Sequence, residues 1–227
     1  NFLDITQLPR GVAEFTPGMS AKMISIDLAG NALIDAAKHF TIVLAYPSRG
    51  ISLKPGYESA VATIANDDMV FSMHDATLET IETNAGILKQ ITITVDRAGD
   101  TLNAASVGWT LTGTGAHATL GTDFGSGQST TNSLNFAAGE ARKTFVIDIN
   151  GDDELESLEE FTLVLDNART TAPRGTASID PAKASTVVTI LNDDNRVAFS
   201  SGAALTGKEN AVDSNVGASI AFAYTLT

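Results

Sequence analysis

The sequence repeats itself at the scale of a whole domain, and this restricts its fold more than any other feature. Residues 15–44 align without a gap with residues 136–165, and ten of the thirty positions are identical. After a five-residue insertion, residues 58–68 align with 184–194, and seven of eleven positions are identical. Both copies end in Asn-Asp-Asp. Self-similarity over more than a hundred residues indicates consecutive domains in tandem, because solenoid repeats are much shorter.

A further copy begins after the second Asn-Asp-Asp. Glu82 lies 14 residues beyond Asp68, and Glu209 lies 15 residues beyond Asp194. We therefore predict three segments: the C-terminal part of one repeat at 1–68, a complete repeat at 69–194 and the N-terminal part of a third at 195–227. Partial copies alone would leave strand edges and half a core exposed. We expect further residues of the same chain, or a neighbouring molecule joined head to tail, to complete them.

Apolar and polar residues alternate through most of the chain with the two-residue period of half-buried strands. No long amphipathic helix with capping residues interrupts this pattern. Ile91, Ile93 and Val95 share one face of such a run, and Trp109 is expected in the same core. The pattern predicts an all-β sandwich. In the complete repeat, the expected strands lie near 69–74, 78–82, 87–96, 105–113, 132–136, 143–149, 161–166 and 185–191.

Composition excludes several classes of function. The chain has 27 acidic residues against 14 Lys and Arg, a net charge of −13, which argues against binding of nucleic acid or an anionic membrane face. No apolar run is long enough for a membrane-spanning helix, so we expect no direct membrane insertion. The absence of cysteine excludes disulfides and cysteine-ligated zinc. We find no nucleophile elbow, phosphate loop or nucleotide fingerprint, and we predict that the chain is not an enzyme.

The acidic residues concentrate in one run. Six carboxylates occupy the nine positions 152–160, and no Lys or Arg lies among them. Strand-like runs at 145–149 and 161–165 flank these acids, which places them on a connecting loop held by a core at both ends. Carboxylates crowded in this way repel one another. Two explanations remain open from the residues alone: a face solvated by water and salt, or a site for a hard cation with oxygen ligands.

Five motifs in a fixed order give the chain a family resemblance. They are Arg-Ala-Gly-Asp at 97–100, Gly-Thr-Asp-Phe at 121–124, Leu-Asn-Phe-Ala-Ala-Gly-Glu at 134–140, Gly-Asp-x-x-x-Glu-x-x-Glu-x-Phe at 151–161 and Thr-Ile-Leu-Asn-Asp-Asp at 189–194. In this order and spacing the chain resembles the Calx-beta domain. The resemblance implies a seven-stranded immunoglobulin-like sandwich in tandem copies, of the kind carried by bacterial surface and matrix proteins and by sodium/calcium exchangers.

The resemblance also implies a set of metal ligands at one end of the sandwich, with Asn192 where calcium-binding members often have another aspartate. The predicted ligands are Glu82, Asp123, Asp152, Asp153, Glu156, Asn192, Asp193 and Asp194. Flexible coordination by six to eight oxygens suits Ca²⁺ better than Mg²⁺, which keeps its waters. In the first copy, Asn31 replaces Asp152 and Lys38 replaces Glu159. We therefore expect the first copy to bind calcium at least tenfold more weakly than the central one.

These features together predict a calcium-binding structural or adhesive module of a large secreted or cell-surface protein, in which calcium rigidifies the domain junctions. Its expected partners are calcium, neighbouring repeats of the same or another chain, and a cell-surface or matrix ligand. Two alternatives remain open: a calcium-sensing regulatory pair of an ion exchanger or signalling protein, and accessory repeats of a larger secreted enzyme. Calcium affinity separates the first alternative from the structural role.

Overall fold

The computed structural model of the chain describes residues 10–113, 118 and 122–194, and two short strands beyond them. The described part contains strands and one 3₁₀ turn at Pro181–Lys183, and no helix in it has the length and apolar character needed to cross a bilayer. The strands are β1 (Lys38–Val43), β2 (Ser59–Ile64), β3 (Met69–Met73), β4 (Thr77–Ile81), β5 (Leu88–Gly99), β6 (Ala105–Gly113), β7 (Thr131–Phe136), β8 (Arg142–Asn150), β9 (Glu159–Thr170), β10 (Ala177–Ile179), β11 (Ser185–Leu191), β12 (Val197–Phe199) and β13 (Tyr224–Leu226).

Two sheets form the sandwich of the central repeat. One has the order β10-β3-β5-β8, and the other has the order β4-β11-β9-β6-β7. Neighbouring strands are antiparallel except at β10 with β3 and at β4 with β11. The run that begins at Met69 contributes β3 to one sheet and, after a break at 74–76, β4 to the other. This change of sheet matters for the metal centre described below, because it places the end of β4 beside the end of β11.

The all-β prediction is confirmed, and each of the eight strands expected in the central repeat is present. Two features differ from the expectation of seven strands. The first strand is divided between the sheets, and the short strand β10 adds an edge beside β3. The sequence Ala-Ser-Ile of β10 is too short to show an alternating pattern, so its pairing with β3 depends on tertiary contacts.

The core lies between the sheets and includes the residues that the alternation predicted. Ile93, Val95 and Trp109 are buried, and the Trp109 ring stacks on Phe145 of the opposite sheet at a centroid distance of 4.5 Å. Phe124 packs edge to face on Phe161 at 5.1 Å. The buried Ile149 precedes the acidic loop and the buried Phe161 follows it, so packed side chains hold both ends of the loop.

The first copy reproduces the central repeat in its strand pairing. β1 pairs with β2 in six residue pairs from Lys38↔Ile64 to Val43↔Ser59. Each of them corresponds, at the offsets found in the sequence, to one of the six pairs between β9 and β11, from Glu159↔Ile190 to Val164↔Ser185. The repeat in the sequence is therefore also a repeat in three dimensions.

The predicted third copy lies almost entirely outside the described residues. Only the backbone pairing of β12 with β13 falls within it. The boundaries at 68 and 194 that we predicted for the three segments therefore remain predictions.

Candidate metal centre

Four chain segments meet at one end of the central sandwich because of the strand directions. β4 and β11 are parallel, so the residues after them, from Glu82 and from Asn192, leave the sheet at the same edge. The backbone amide of Glu82 donates to the carbonyl of Leu191 at 3.0 Å there. β9 is antiparallel to β11 and starts opposite its end, with Glu159 paired to Ile190. The acidic loop that precedes β9 is consequently brought to the same place.

A fourth segment supplies Asp123. Phe124 forms an isolated bridge with Ile149 of β8, and the amide of Asn150 donates to the Asp123 carbonyl at 3.0 Å. The Asn150 side chain also donates to the carbonyls of Thr122 and Phe124, at 2.6 and 2.8 Å. Asn150 thereby fixes the short segment that carries Asp123 against the start of the acidic loop.

The side chains at this end form three overlapping carboxylate groups, in each of which the oxygens lie within 4.8 Å of one another. Glu82 belongs to the first two groups and Glu156 to the last two, so all seven acids form one continuous cluster. The groups are Glu82, Asp193 and Asp194; Glu82, Asp152 and Glu156; and Asp123, Glu156 and Glu159.

The acidic loop is held in place by backbone contacts. A Cβ atom on Gly151 would lie 1.5 Å from the carbonyl oxygen of Thr83, so any side chain at this position would collide with the backbone after β4. The Asn192 side chain accepts a hydrogen bond from the amide of Glu156 at 3.0 Å and donates to the carbonyl of Asp194 at 2.8 Å. These contacts tie the acidic loop to the segment after β4 and to the residues after β11.

Burial and mutual repulsion disfavour the charged form of the acids in this cluster. Burial, together with the carboxylates of Glu156 and Asp152, raises the pKa of Glu82 to about 7. Burial and the carboxylates of Asp123 and Glu156 raise the pKa of Glu159 to about 7. The pKa of Glu156 and that of Asp194 are also raised, again mainly by burial and then by neighbouring acids. The cluster thus holds negative charge in a place that is poorly solvated.

Three oxygens in the cluster lack the partners that buried polar atoms normally have. Within the described residues, Glu82 Oε1, Glu159 Oε2 and Asp194 Oδ2 are buried and accept no hydrogen bond. The ion pairs of this part of the chain lie elsewhere, and none of them involves Glu82, Glu156 or Glu159. Buried carboxylate oxygens without donors, on residues whose groups have oxygens within 4.8 Å of one another, fit a hard divalent cation.

The structure brings six of the eight predicted ligands into the cluster and gives the other two different positions. Asp153 is in none of the three carboxylate groups, and its Oδ1 instead accepts from the amide of Ala85 at 3.3 Å. Asn192 holds the loop through its amide group, as described above. The six in the cluster are Glu82, Asp123, Asp152, Glu156, Asp193 and Asp194.

The ligand prediction omitted two residues that the structure places at the site. Glu159 is a member of the cluster, and Asn150 positions the segment that carries Asp123. Glu159 had a signal in the sequence, because Lys38 occupies its place in the first copy. Asn150 had none, since an Asn-Gly pair predicts a turn, whereas here Asn150 ends a strand.

The chain has identifiable relatives. A profile of the Calx-beta domain matches residues 7–68 and 65–194. A search of curated proteins finds no match. Among solved structures, the chain is similar to the apo-form Calx CBD1 domain, with 25% identity and a TM-score of 0.44 over 56% of this chain and 98% of that one. It is also similar to the calcium binding domain CBD12 of CALX1.1, with 28% identity and a TM-score of 0.44 over 58% of this chain and 50% of that one.

Proposed function

Since the chain belongs to the Calx-beta domain family, we propose that its central repeat binds calcium at the carboxylate cluster and that it serves as a structural module of a tandem array. The proposed ligands are the seven acids of the cluster, including Glu159. Asn150 and Asn192 are proposed as positioning residues. The proposal assigns the chain a binding role and no catalysis.

The observation that carries the proposal is the set of buried carboxylate oxygens without donors. Leaving charged groups buried and unpaired is strongly unfavourable, and an ion bound between them removes this penalty. A face charged only for solubility would have its carboxylates in water. Here Glu82 and Asp123 are each 7% exposed. Burial of two acids in a cluster of seven therefore favours a cation site over a solvated surface.

Calcium fits this donor set better than magnesium does. The three groups share Glu82 and Glu156, and carboxylates that bridge ions or bind through both oxygens suit the flexible coordination of Ca²⁺. Mg²⁺ requires a near-ideal octahedron and usually keeps several waters. Because the cluster comprises three overlapping carboxylate groups, the stoichiometry of binding is part of the test.

The site lies where the central repeat leads into the following residues, and this supports a role at a domain junction. The ligands Asp193 and Asp194 come just after β11, so an ion bound to them also fixes the direction in which the chain leaves the sandwich. We propose that calcium rigidifies this junction in a secreted or cell-surface protein that acts as an adhesin, fibre or matrix component. Weak binding, with a Kd around 10⁻⁴ to 10⁻³ M, suits an extracellular module.

The first prediction tests the site directly. Calcium is expected to stabilise the chain against urea, by about 2.7 kcal/mol at a hundredfold excess over Kd, because it binds only the folded state. Trp109 is the only tryptophan in the chain and is buried, so its fluorescence reports on unfolding of the central repeat. The double variant Asp152→Asn/Glu156→Gln should lose this stabilisation and the heat of binding in calorimetry.

A matched control removes two charges elsewhere. Glu14→Gln/Glu79→Gln changes the net charge by the same amount at two exposed positions outside the cluster, and it should keep the full calcium response. If wild-type chain shows neither stabilisation nor heat with calcium, the proposed function is wrong. If both double variants lose the response equally, net charge rather than a site is responsible.

A calcium-sensing role is the second candidate, and one observation favours it. Four acids of the cluster have raised pKa values, so the ion-free site is electrostatically unfavourable. Calcium binding is therefore expected to change the conformation of the site. A sensor requires a Kd near micromolar, whereas a structural module tolerates much weaker binding. The Kd from the same calorimetric titration therefore separates the two roles.

A further inference from the structure

The first copy retains hydrogen bonds that hold the metal centre of the central repeat, but it has fewer acids. We propose that the junction between the first and central repeats is a calcium-independent clamp, in which the Lys38 ammonium takes the place of a bound cation. This inference rests on the proposed function of the central cluster. It adds that calcium acts on only one of the two junctions in this stretch of the array.

The two hydrogen bonds by which Asn192 holds the acidic loop recur in the first copy. Asn66 corresponds to Asn192, and its Oδ1 accepts from the amide of Asp35 at 3.1 Å, as Asn192 accepts from the amide of Glu156. Its Nδ2 donates to the carbonyl of Asp68 at 2.7 Å, as Asn192 donates to Asp194. The loop of the first copy is thus tied to the residues after β2 in the same way as the acidic loop is tied to the residues after β11.

In the first copy, a lysine occupies one of the positions that hold cluster acids in the central repeat. Lys38 occupies the position of Glu159, and its Nζ contacts Oδ2 of Asp35 at 2.6 Å. Asn31, at the position of Asp152, donates to the same oxygen at 3.1 Å. Asp35 corresponds to Glu156, the acid shared by two carboxylate groups in the central repeat. The carboxylate of Asp35 therefore already binds a cation and an amide group, at the position of an acid that two carboxylate groups share in the central repeat.

A second acid of the first copy is engaged by the central repeat. Asp68 corresponds to Asp194, and its buried Oδ1 accepts from both the amide and the hydroxyl of Thr176, at 2.8 and 2.7 Å. The carbonyl of Asp68 also accepts from the amide of Asp100 at 2.9 Å. Ile34 adds an apolar contact, since it lies close against Gly99 at the end of β5. Hydrogen bonds and packing across the two repeats thus hold this junction without an ion.

The aligned acids Asp35 and Glu156 also differ in pKa, and the difference agrees with a first junction that needs no calcium. The hydrogen bonds from Lys38 and then Asn31 lower the pKa of Asp35, whereas burial and neighbouring acids raise the pKa of Glu156. Two of the cluster acids lose their carboxylate in the first copy, where Asn31 occupies the position of Asp152 and Lys38 that of Glu159. The described acid positions of the first copy therefore disfavour a divalent cation, because two of them carry no carboxylate and an ammonium already contacts Asp35.

Hydrogen–deuterium exchange of the whole chain tests the clamp, in EDTA and in millimolar calcium at equal ionic strength. Calcium should slow exchange in peptides over 150–160 and leave peptides over 29–38 unchanged. Lys38→Met should speed exchange over 29–38 about two- to fivefold in both conditions, the range expected for loss of an exposed ion pair. Lys38→Arg should behave like wild type, because it keeps the positive charge. Lys22→Met is the control for removing a lysine elsewhere in the first copy.

The outcomes separate this inference from the proposed function. If calcium slows exchange over 29–38 in the wild-type chain, or if Lys38→Met exchanges there no faster than Lys22→Met, the clamp is wrong and the central site is unaffected. If calcium slows exchange in neither region, the central site is wrong, and the comparison of Lys38→Met with Lys38→Arg still decides whether the lysine holds the first junction.

Discussion

At the scale of single residues, the behaviour of the metal centre depends on how many acids are buried together. Glu82 and Glu159 both have a pKa of about 7, because each is buried beside other carboxylates. At neutral pH the ion-free cluster is therefore close to the point where protons and cations compete for the same oxygens. Two predictions follow from this competition.

Stability should fall with rising pH in EDTA, and calcium should offset this fall. A Glu82 pKa of about 7 lies above the unfolded value, so in EDTA its protonated form stabilises the fold fully below about pH 4.5, and this contribution is lost as the pH rises through 7. We expect the free energy of unfolding in EDTA to fall by on the order of 2 kcal/mol between pH 5 and 8. In calcium the fall should be offset, because the ionised acids bind the ion.

Urea unfolding followed by Trp109 fluorescence measures the free energy of unfolding at pH 5 and pH 8, in EDTA and in calcium. Glu82→Gln is the informative variant, since it removes the titrating group and keeps the shape. It should flatten the EDTA profile and weaken the calcium response. A wild-type profile in EDTA that rises steadily from pH 5 to 8 would contradict the raised pKa of Glu82.

Glu159 and Asp153 should respond differently to neutralisation. Glu159 lies in the cluster, so Glu159→Gln is expected to weaken calcium binding by about tenfold while raising stability in EDTA, because one buried repulsive charge is removed. Asp153 is exposed and lies in none of the carboxylate groups, so Asp153→Asn should change both quantities much less. Calorimetry and urea unfolding of the two variants give the comparison, and equal losses of affinity would place Asp153 among the ligands.

At the scale of elements, the acidic loop depends on a close approach between two backbone segments. Gly151 lies against the carbonyl of Thr83, and the amide of Gly151 donates to the carbonyl of Ile87 at 3.2 Å. These contacts place the loop between β8 and β9 over the segment that follows β4. A glycine is required for this reason, and an aspartate ligand could not be accommodated at position 151.

The aligned glycine of the first copy provides a matched test of this contact. Gly151→Ala should destabilise the central repeat by about 2 kcal/mol or more, because the new methyl group collides with backbone rather than with a flexible side chain. Gly30→Ala meets no atom within 4 Å and should change stability by less than about 0.5 kcal/mol. Urea unfolding measures the first effect through Trp109. A small effect of Gly151→Ala would show that the loop shifts easily away from Thr83.

At the scale of the whole molecule, Asp68 joins the first repeat to the central one. Asp68 is 4% exposed, and its carboxylate accepts two hydrogen bonds from Thr176, which lies 108 residues further along the chain. Asp68→Ala should destabilise the central repeat by about 2 kcal/mol, since hydrogen bonds to charged groups contribute about 1.5–3 kcal/mol. Asp67→Ala, at the exposed neighbouring position, is the control. If both variants unfold at the same urea concentration as wild type, the two repeats are not coupled through this residue.

The sequence alone determined the all-β class, every strand of the central repeat except β10, and the correspondence of the first copy to the central repeat. Alternation of apolar residues is a local property, and the repeat is a comparison of the chain with itself, so neither needs contacts between distant residues. Six of the cluster acids also followed from the family resemblance. Tertiary structure alone placed Asn150 at the site and gave Asn192 its role in holding the loop. Such roles depend on which backbone amides and carbonyls a folded chain brings within hydrogen-bonding distance.

Asp153 and Glu159 show the same limit of prediction from sequence within one run of acids. Both lie in the stretch 152–160, and composition does not distinguish them. Glu159 begins a strand whose partner ends beside Asp193, whereas Asp153 turns to the amide of Ala85. The sequence determined that acids would concentrate on this loop. The pairing of β9 with β11 and of β4 with β11 decided which of them share buried space, because strand register fixes the side to which each side chain points.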